Sequence, residues 1–282
     1  MPVAVVTDST AYLPDQVTRA HAVTVVPLAV MINGEEGQEG IDVSPSNIAK
    51  ALAGRRMVVT TSRPAPTAFA AAYRALLDEG ADAVLSVHLS RELSGTFDAA
   101  TLAAAEFPSR VVTLDSRGTA MGLGFPVLAA AKAAASGQDL AGVRDAAVTA
   151  IDRTTTLFYV DTLEFLRRGG RIGATSALVG TALSVKPILS FVDGAIILRD
   201  KVRTASRALA RLVDIAVESA EESDVDIAVH HLGSPGRAAT LAEALAGRFG
   251  PRLRDQYVCE IGAAVAAHVG PGFAGVVIHR RA

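Results

Sequence analysis

Cysteine, net charge and long apolar runs are all scarce in this sequence, and each absence excludes a class of protein. Cys259 is the only cysteine among 282 residues, so no intrachain disulfide can form, which fits a reducing compartment. The formal net charge of −2 argues against a nucleic-acid surface or a strong electrostatic attachment to a membrane. There is no run of about 18 uncharged apolar residues and no signal-peptide pattern at the N-terminus. We therefore expect a cytoplasmic protein.

Motifs for metal and nucleotide binding are also missing. The 6 histidines are scattered, with no HExxH pattern and no cysteine pair, and the adjacent His230 and His231 fit a structural role better than a metal site. The glycine-rich residues 169–173 lack the Gly-Lys-Ser/Thr ending of a phosphate-binding loop. Residues 232–236 have the wrong order for a nucleophile elbow. We expect no metal and no cofactor.

What the sequence does contain is apolar material for a large core, since 50% of its residues are hydrophobic. Strands and helices alternate from the N-terminus to about residue 153, which predicts an α/β fold with a parallel, doubly wound sheet. In this part, residues 23–30 are predicted to form one strand that Pro27 interrupts. The polar residues 35–40 are predicted to form an exposed loop.

The pattern changes after residue 153. Residues 188–198 are predicted to form a β-hairpin around Asp193 and Gly194. A hairpin among further strands and helices implies a mixed sheet. We therefore predict two domains, an α/β domain with a parallel sheet over residues 1–153 and an α+β domain with a mixed sheet over residues 154–282.

Hydroxyl side chains follow two of the predicted strands. Thr61 and Ser62 end one strand, and Ser94, Gly95 and Thr96 come shortly after another, just before a predicted helix. We expect both strand ends to lie along one edge of the parallel sheet, where ligands of open α/β sheets usually bind. Ser94 can cap its helix or bind an anion there, and its position in the sequence is consistent with both roles.

Cationic and imidazole groups could complete such a site. His268 precedes a tight turn at residues 269–272, although a lone histidine at a turn more often has a structural role. Arg171 and Arg203 add positive charge, although each alone is more often an exposed surface arginine. Neutral hydroxyls with a few cationic donors suit one carboxylate better than a triphosphate.

Together these motifs resemble the DegV family, in the right order and over the whole chain. The resemblance rests on Thr7-Asp8-Ser9 near the N-terminus and on five further segments: 61–64, 94–96, 161–172, 186–194 and 268–272. Two positions depart from the family pattern, because Arg63 stands where glutamine is common and Ala267 where a threonine often precedes the histidine.

The resemblance implies a two-domain protein that binds one long-chain fatty acid, with the carboxylate at the domain interface and the acyl tail in an apolar tunnel. It implies that Thr61, Ser62 and Ser94 hydrogen-bond the carboxylate, that Gly95 and Thr96 shape its loop, and that His268 closes the site. Arg171 and Arg203 resemble family arginines near the head group. In this family the partner is an ATP-dependent kinase that converts the presented acid to an acyl phosphate, so the chain itself is expected to be non-catalytic.

Two other interpretations remain open. Ser94 with His268 could form the nucleophile and base of a hydrolase or acyltransferase, although no pattern supplies an orienting carboxylate. Alternatively, the hydroxyl clusters could be only helix caps of a surface interaction module. Residues 174–183 and the hairpin at 188–198 are candidates to line the acyl tail, although ordinary core packing explains each of these residues equally well.

Overall fold

The structure is a computed structural model that describes residues 2–45, 48, 59–172 and 185–281. Its elements form three sheets with helices around them. The predicted α/β class, with a parallel sheet followed by a mixed sheet, is confirmed. The predicted tail-lining residues 174–183 lie outside the described residues. The division into domains at residue 153 stays a prediction.

The first sheet contains four parallel strands, in the order β2-β1-β6-β7. These strands are β1 Val3–Asp8, β2 Val23–Val26, β6 Ala83–His88 and β7 Val111–Asp115. Every residue of β6 is buried, as expected for a central strand covered on both faces.

Helices cover both faces of this sheet, which makes it doubly wound. Helices α2 Pro66–Asp78 and α3 Thr96–Ala104 pack on the face that carries Val6 and Val84. Helices α4 Met121–Ala135 and α5 Leu140–Asp152 pack on the opposite face, against Val5 and Leu85. The short helix α1 Asp15–Ala20 leads into β2.

The second sheet contains six strands, and all of them come from residues 154–280. Its order is β10-β9-β8-β13-β11-β12, and only β11 and β12 pair in parallel. The strands are β8 Thr154–Tyr159, β9 Lys186–Val192, β10 Ala195–Val202, β11 Val225–His231, β12 Leu253–Glu260 and β13 Ala274–Arg280. The predicted hairpin joins β9 to β10, and Asp193 and Gly194 both have positive φ, as its primed turn requires.

The two faces of the six-stranded sheet have different neighbours. Helices α7 Ala205–Ala220 and α8 Pro235–Phe249 cover one face, packing on alternate residues such as Leu157 and Val276. The intervening residues, such as Phe158, point to the opposite face. That face meets helices α6 Glu164–Arg168 and α9 Ala263–Val269 and the start of α4.

A third, antiparallel sheet corrects three expectations. It contains β3 Ala29–Ile32, β4 Glu35–Gln38 and β5 Val59–Ser62 in the order β4-β3-β5. Residues 23–30 are therefore two strands in different sheets, because Pro27 cannot donate a ladder hydrogen bond and the chain changes sheets there. Residues 35–40 are not an exposed loop, because the Asn33-Gly34 turn continues into β4 and Glu39 is buried. Nor does β5 belong to the parallel sheet.

Within the described part of the chain, no helix is both long enough and apolar enough to cross a membrane.

Candidate functional site

A largely apolar cavity lies between the carboxyl ends of the parallel strands and the inner face of the six-stranded sheet. It offers about 170 Å³ to water-sized molecules. Its apolar wall consists of Leu28, Leu89, Leu93, Phe158, Leu166, Phe191, Ile196, Val265, Val269, Phe273 and Val277. Residues of the three-stranded and six-stranded sheets, of α6 and α9, and of the segments that follow the parallel strands therefore meet at the crevice where an open α/β sheet usually binds its ligand.

One end of the cavity is polar. Thr61 Oγ1 lies 3.1 Å from His268 Nε2, which joins β5 to α9 across 207 positions of sequence. Burial and, to a smaller extent, the neighbouring Arg171 guanidinium lower the pKa of His268 from its usual 6.5 to about 4. His268 is therefore neutral near pH 7, so its ring nitrogens can donate one hydrogen bond and accept another.

The glycine-rich loop after α6 makes room for these groups. A Cβ built on Gly169 would collide with Nδ1 of the His268 ring, so only glycine allows the imidazole to approach this closely. Gly170 has a φ of +71°, which turns the chain so that Arg171 follows at the cavity wall. The basic glycine loop recognised in the sequence thus positions both a cation and a histidine.

Arg171 has no carboxylate partner among the described residues. Its guanidinium donates to the carbonyl oxygen of Leu93 from Nε at 3.0 Å and to that of Gly169 from Nη1. Burial lowers the pKa of Arg171, because the charged form has lost part of its hydration. A half-buried cation whose hydrogen bonds, among the described residues, go to neutral carbonyl groups is a favourable place for an anion.

A buried carboxylate holds the helix that carries His268. Glu39 Oε1 accepts hydrogen bonds from the Ala264 N–H at 2.7 Å and the Tyr12 hydroxyl at 3.0 Å, and Ser9 Oγ donates to Oε2 at 2.5 Å. Burial raises the pKa of Glu39, and the three hydrogen bonds oppose that rise. A negative group at a helix N-terminus is stabilising. Through its hydrogen bonds to Ser9, Tyr12 and Ala264, Glu39 also links the N-terminal part of the chain to α9.

Ser94 lies at the start of α3 and lines the cavity. Its Oγ accepts a hydrogen bond from the Thr96 N–H at 3.3 Å and lies 2.9 Å from Thr96 Oγ1. The same hydroxyl therefore satisfies a free amide of the helix N-terminus and reaches the cavity wall. The N-cap residue is Gly95 and not Ser94, so Ser94 bonds the first helical N–H from one position further out. Binding of an anion by Ser94 stays a prediction.

The structure brings together most of the predicted site residues, but not all of them. Thr61, Ser62, Ser94, Gly95, Arg171 and His268 line the cavity. Thr96 is buried behind Ser94, and Arg203 is exposed after the end of β10, away from the cavity lining. Of the hairpin, Phe191 and Ile196 line the cavity, and its role in lining an acyl tail stays a prediction.

The reason given for this convergence was wrong, because Thr61 and Ser94 do not end strands of one sheet. The antiparallel β5 approaches the cavity from the three-stranded sheet, whereas Ser94 follows β6 of the parallel sheet. A shared sheet edge therefore cannot explain why they meet.

Sequence reasoning missed other residues of the cavity wall. Arg63 lies over Gly95, where an added Cβ would collide with the guanidinium, so the unusual arginine belongs to the polar end. Thr119, Thr156 and His230 also line the cavity. Thr119 could have been found by the same criterion as Ser94, since it follows the carboxyl end of a parallel strand. His230 and Thr156 lie inside strands, and only the face to which they point brings them here.

The hydrogen bonds do not arrange Ser94 as a nucleophile. His268 Nε2 is close to Thr61 Oγ1, whereas Ser94 Oγ interacts with Thr96. A chain of Asp8, His88 and Ser86 does have spacings typical of a catalytic triad, at 3.0 and 2.7 Å. All three side chains are completely buried, and Ser86 Oγ accepts a hydrogen bond from the Tyr73 hydroxyl within the core. Among the described residues, no cluster of histidine, cysteine and acidic side chains could hold a metal ion.

Comparisons with known proteins agree over the whole chain. A family model described as "Uncharacterised protein, DegV family" matches residues 2–281. A DegV domain-containing protein of Streptomyces coelicolor is 51% identical, with 99% of each chain covered. The solved structure of a DegV family protein from Thermus thermophilus, which is described in terms of fatty acid binding, superposes on this chain with a TM-score of 0.94 at 34% identity. DegV from Bacillus subtilis, described as a fatty acid binding protein, gives 0.90 at 30% identity. Both structures cover 100% of each chain.

Proposed function

The chain belongs to the DegV family, and from that premise we propose that it binds one long-chain fatty acid in the cavity described above. The carboxylate occupies the polar end, beside Thr61, Ser62, Ser94, Arg171 and His268. The acyl tail extends along the apolar wall. The fatty-acid-binding relatives at 30% identity or more support the ligand class, and the cavity chemistry supports its orientation.

The observation that carries this proposal is the state of Arg171. Its guanidinium is partly desolvated, and within the described part of the chain its hydrogen bonds go to the carbonyl oxygens of Leu93 and Gly169. Because a buried charge needs an opposite charge or many hydrogen bonds, the site is incomplete without an anion. A fatty acid supplies one negative charge at the polar end and only hydrocarbon elsewhere, which matches the distribution of polar and apolar groups on the wall.

The tail supplies most of the binding free energy. Each methylene transferred from water to an apolar wall contributes about 0.8 kcal/mol, so a long chain needs few polar contacts to be held. The aromatic part of that wall consists of Phe158, Phe191 and Phe273. The centroid of the Phe158 ring lies 5.8 Å from that of Phe191 and 6.1 Å from that of Phe273. The carboxylate contributes orientation, because it can be hydrogen-bonded only where the hydroxyls and Arg171 lie.

We further propose that the chain does not transform the fatty acid but presents its carboxylate to a separate ATP-dependent kinase. The lack of a nucleotide-binding motif and the absence of a Ser94–His268 hydrogen bond support a non-catalytic role. Arg203, exposed after the end of β10, is then available to the partner and not to the ligand. An assay with purified kinase and ATP should yield acyl phosphate only when both proteins are present. Acyl phosphate formed without the kinase would contradict this division of labour.

Ligand binding is tested by extracting the purified protein under denaturing conditions and identifying released fatty acids by mass spectrometry. Palmitate and the alcohol of equal length are then compared as ligands of the wild type, Arg171→Gln and Ser94→Ala. Loss of a charged hydrogen bond should weaken palmitate binding by about 1–3 kcal/mol in each variant, roughly tenfold to a hundredfold, and alcohol binding much less.

The control is Arg248→Gln, which removes a surface arginine that pairs with Asp214 on the far side of the six-stranded sheet. It should leave palmitate affinity unchanged. If the protein carries no fatty acid and takes up neither palmitate nor oleate, the proposed function is wrong.

A further inference from the structure

Two residues in the inner part of the cavity wall carry buried polar atoms that have no hydrogen-bond partner among the described residues. Among the described residues, three buried side-chain polar atoms lack a hydrogen-bond partner, and two of them belong to residues of the cavity wall. These two are Thr119 Oγ1 and His230 Nδ1, on side chains that are more than nine-tenths buried. Native proteins retain few such atoms, so two beside one cavity indicate a ligand atom that completes them.

His230 is held in one orientation and one protonation state. Its Nε2 accepts a hydrogen bond from the Met121 N–H at 3.1 Å, so this nitrogen carries no proton. Burial lowers the pKa of His230 to about 4, and the nearby Cys259 carbonyl group opposes that shift only in part. The neutral ring therefore carries its proton on Nδ1, where no acceptor lies in hydrogen-bond geometry among the described residues.

Thr156 brings a third polar group to the same place. A Cβ built on Gly122 would lie 2.5 Å from Thr156 Oγ1, so this hydroxyl points at the first turn of α4. Thr119 immediately precedes that turn, and the bond from Met121 to His230 ends there. The three side chains therefore converge around the start of one helix, although they come from a loop, β8 and β11.

This polar group lies away from the end that holds Arg171. The segment that carries Leu166 and Arg171 follows the carboxyl end of β8, whereas Thr156 is near its amino end. Phe158 lies between them on the cavity face of the strand, and successive residues of a strand advance by about 3.3 Å. A ligand whose carboxylate is at Arg171 thus brings a carbon of its tail, and not its head group, to Thr156.

A second cavity lies directly behind this point. It offers about 220 Å³ and shares Thr156 and Phe191 as wall with the apolar cavity. Its other walls are largely polar and include Ser116, Arg117, Asp152 and Asp193. The inner wall is therefore polar on both of its sides, which is unfavourable for the methyl end of an unsubstituted chain.

Building on the proposed fatty-acid function, we propose that this site selects acids that carry an oxygen on the tail, as a hydroxyl or keto group. The oxygen accepts hydrogen bonds from Thr119 Oγ1 and His230 Nδ1, and a hydroxyl can also donate to Thr156 Oγ1. A change of Thr119 from one staggered χ1 rotamer to another, a rotation of about 120°, exchanges the positions of its methyl and hydroxyl at the wall. The carboxylate stays at the opposite, polar end.

The test is a competition between stearic acid and a series of hydroxystearic acids that differ only in the position of the hydroxyl along the chain. The wild-type protein is incubated with equimolar mixtures, and the retained acids are quantified by mass spectrometry. We expect one positional isomer to be enriched about tenfold over stearic acid, since one or two added hydrogen bonds have that value. Thr119→Val and Thr156→Val, which replace hydroxyl by methyl, should each bring that ratio towards one.

Thr61→Val serves as the matched comparison, because it removes a hydroxyl from the head-group end. It should weaken binding of stearic and hydroxystearic acids alike and leave their ratio unchanged. Equal retention of stearic acid and every hydroxystearic acid by the wild type would overturn the inference while the proposed function stands. An enrichment that persists in both valine variants would overturn it too. Absence of binding by any acid would overturn both proposals.

Discussion

Acidification should destabilise this protein through His230, and the size of the effect follows from its surroundings. Burial lowers the pKa of His230 from 6.5 to about 4 in the folded state. In the unfolded chain the ring titrates near its ordinary value. Between these two values the unfolded state binds the extra proton, so the free energy of unfolding falls as the pH falls.

The magnitude is obtained from the two pKa values. Each pH unit between them is worth about 1.36 kcal/mol, and at pH 4 the folded ring is itself half protonated. The contribution of His230 at pH 4 is therefore a loss of about 3 kcal/mol relative to neutral pH. A loss of this size is a large fraction of the stability of an ordinary domain.

His230→Gln removes the titration and keeps an acceptor where Nε2 faced the Met121 N–H. Urea unfolding of both proteins across the range from neutral pH to about pH 4 should show that the variant loses about 3 kcal/mol less. The matched variant His230→Asn is too short to supply that acceptor, so it should be destabilised at every pH by a further 1–3 kcal/mol, roughly the cost of an unpaired buried amide. Parallel stability curves for the wild type and His230→Gln would refute the reasoning.

Two further predictions concern the head-group end and the core. Gly169→Ala should displace His268 from Thr61 and weaken fatty acid binding about tenfold. The control is Gly236→Ala, whose added Cβ has no neighbour within 4 Å, and it should leave the affinity unchanged. If a titration gives Gly169→Ala the same affinity as the wild type, this role of Gly169 is contradicted. Asp8→Asn should cost about 1–3 kcal/mol of unfolding free energy, because Asp8 accepts hydrogen bonds from the Thr10 and Leu89 N–H groups and its Oδ2 lies 3.0 Å from His88 Nδ1. Urea denaturation checks this, and unchanged stability would show that the amide is accommodated.

The proposed ligand site depends on contacts between distant parts of the chain. Glu39 holds the N-terminus of α9, and α9 in turn carries His268 to Thr61. Ser90 Oγ donates to the Gly194 carbonyl oxygen at 2.8 Å, which ties the loop after β6 to the turn between β9 and β10. Each of these bonds joins segments that are far apart in the sequence, and the last one connects the two larger sheets. The site geometry and the packing of those sheets are therefore coupled.

Much of the local structure could be predicted from residue patterns. The strands Val3–Asp8 and Ala83–His88 are rich in β-branched or other apolar residues, which is the pattern that indicates a buried strand. Phe69 and Tyr73 lie one turn apart on the buried face of α2, at the i, i+4 spacing typical of a core-facing helix. These features depend on backbone preferences and side-chain periodicity within a few residues, which the sequence displays directly.

The failures share one physical cause, which is that strand partners are chosen by long-range packing. Nothing near Val59–Ser62 distinguishes a strand of the parallel sheet from one that pairs antiparallel with Ala29–Ile32. Glu39 follows a polar, glycine-containing segment typical of exposed loops, yet it is buried because helix α9 offers it an N–H donor. Neither partner is visible in the local sequence.

Residue patterns alone were enough to predict the alternation of strands and helices, the primed turn at Asp193 and Gly194, and the hydroxyl, arginine and histidine motifs. The three-dimensional contacts were needed to show that Thr61 lies beside His268 and that Arg171 has no acidic partner among the described residues. They were also needed to show that Thr119 and His230 leave polar atoms unpaired beside an apolar cavity. Local conformation follows from nearby residues, whereas the environment of a charge or hydroxyl is set by atoms brought from elsewhere in the chain.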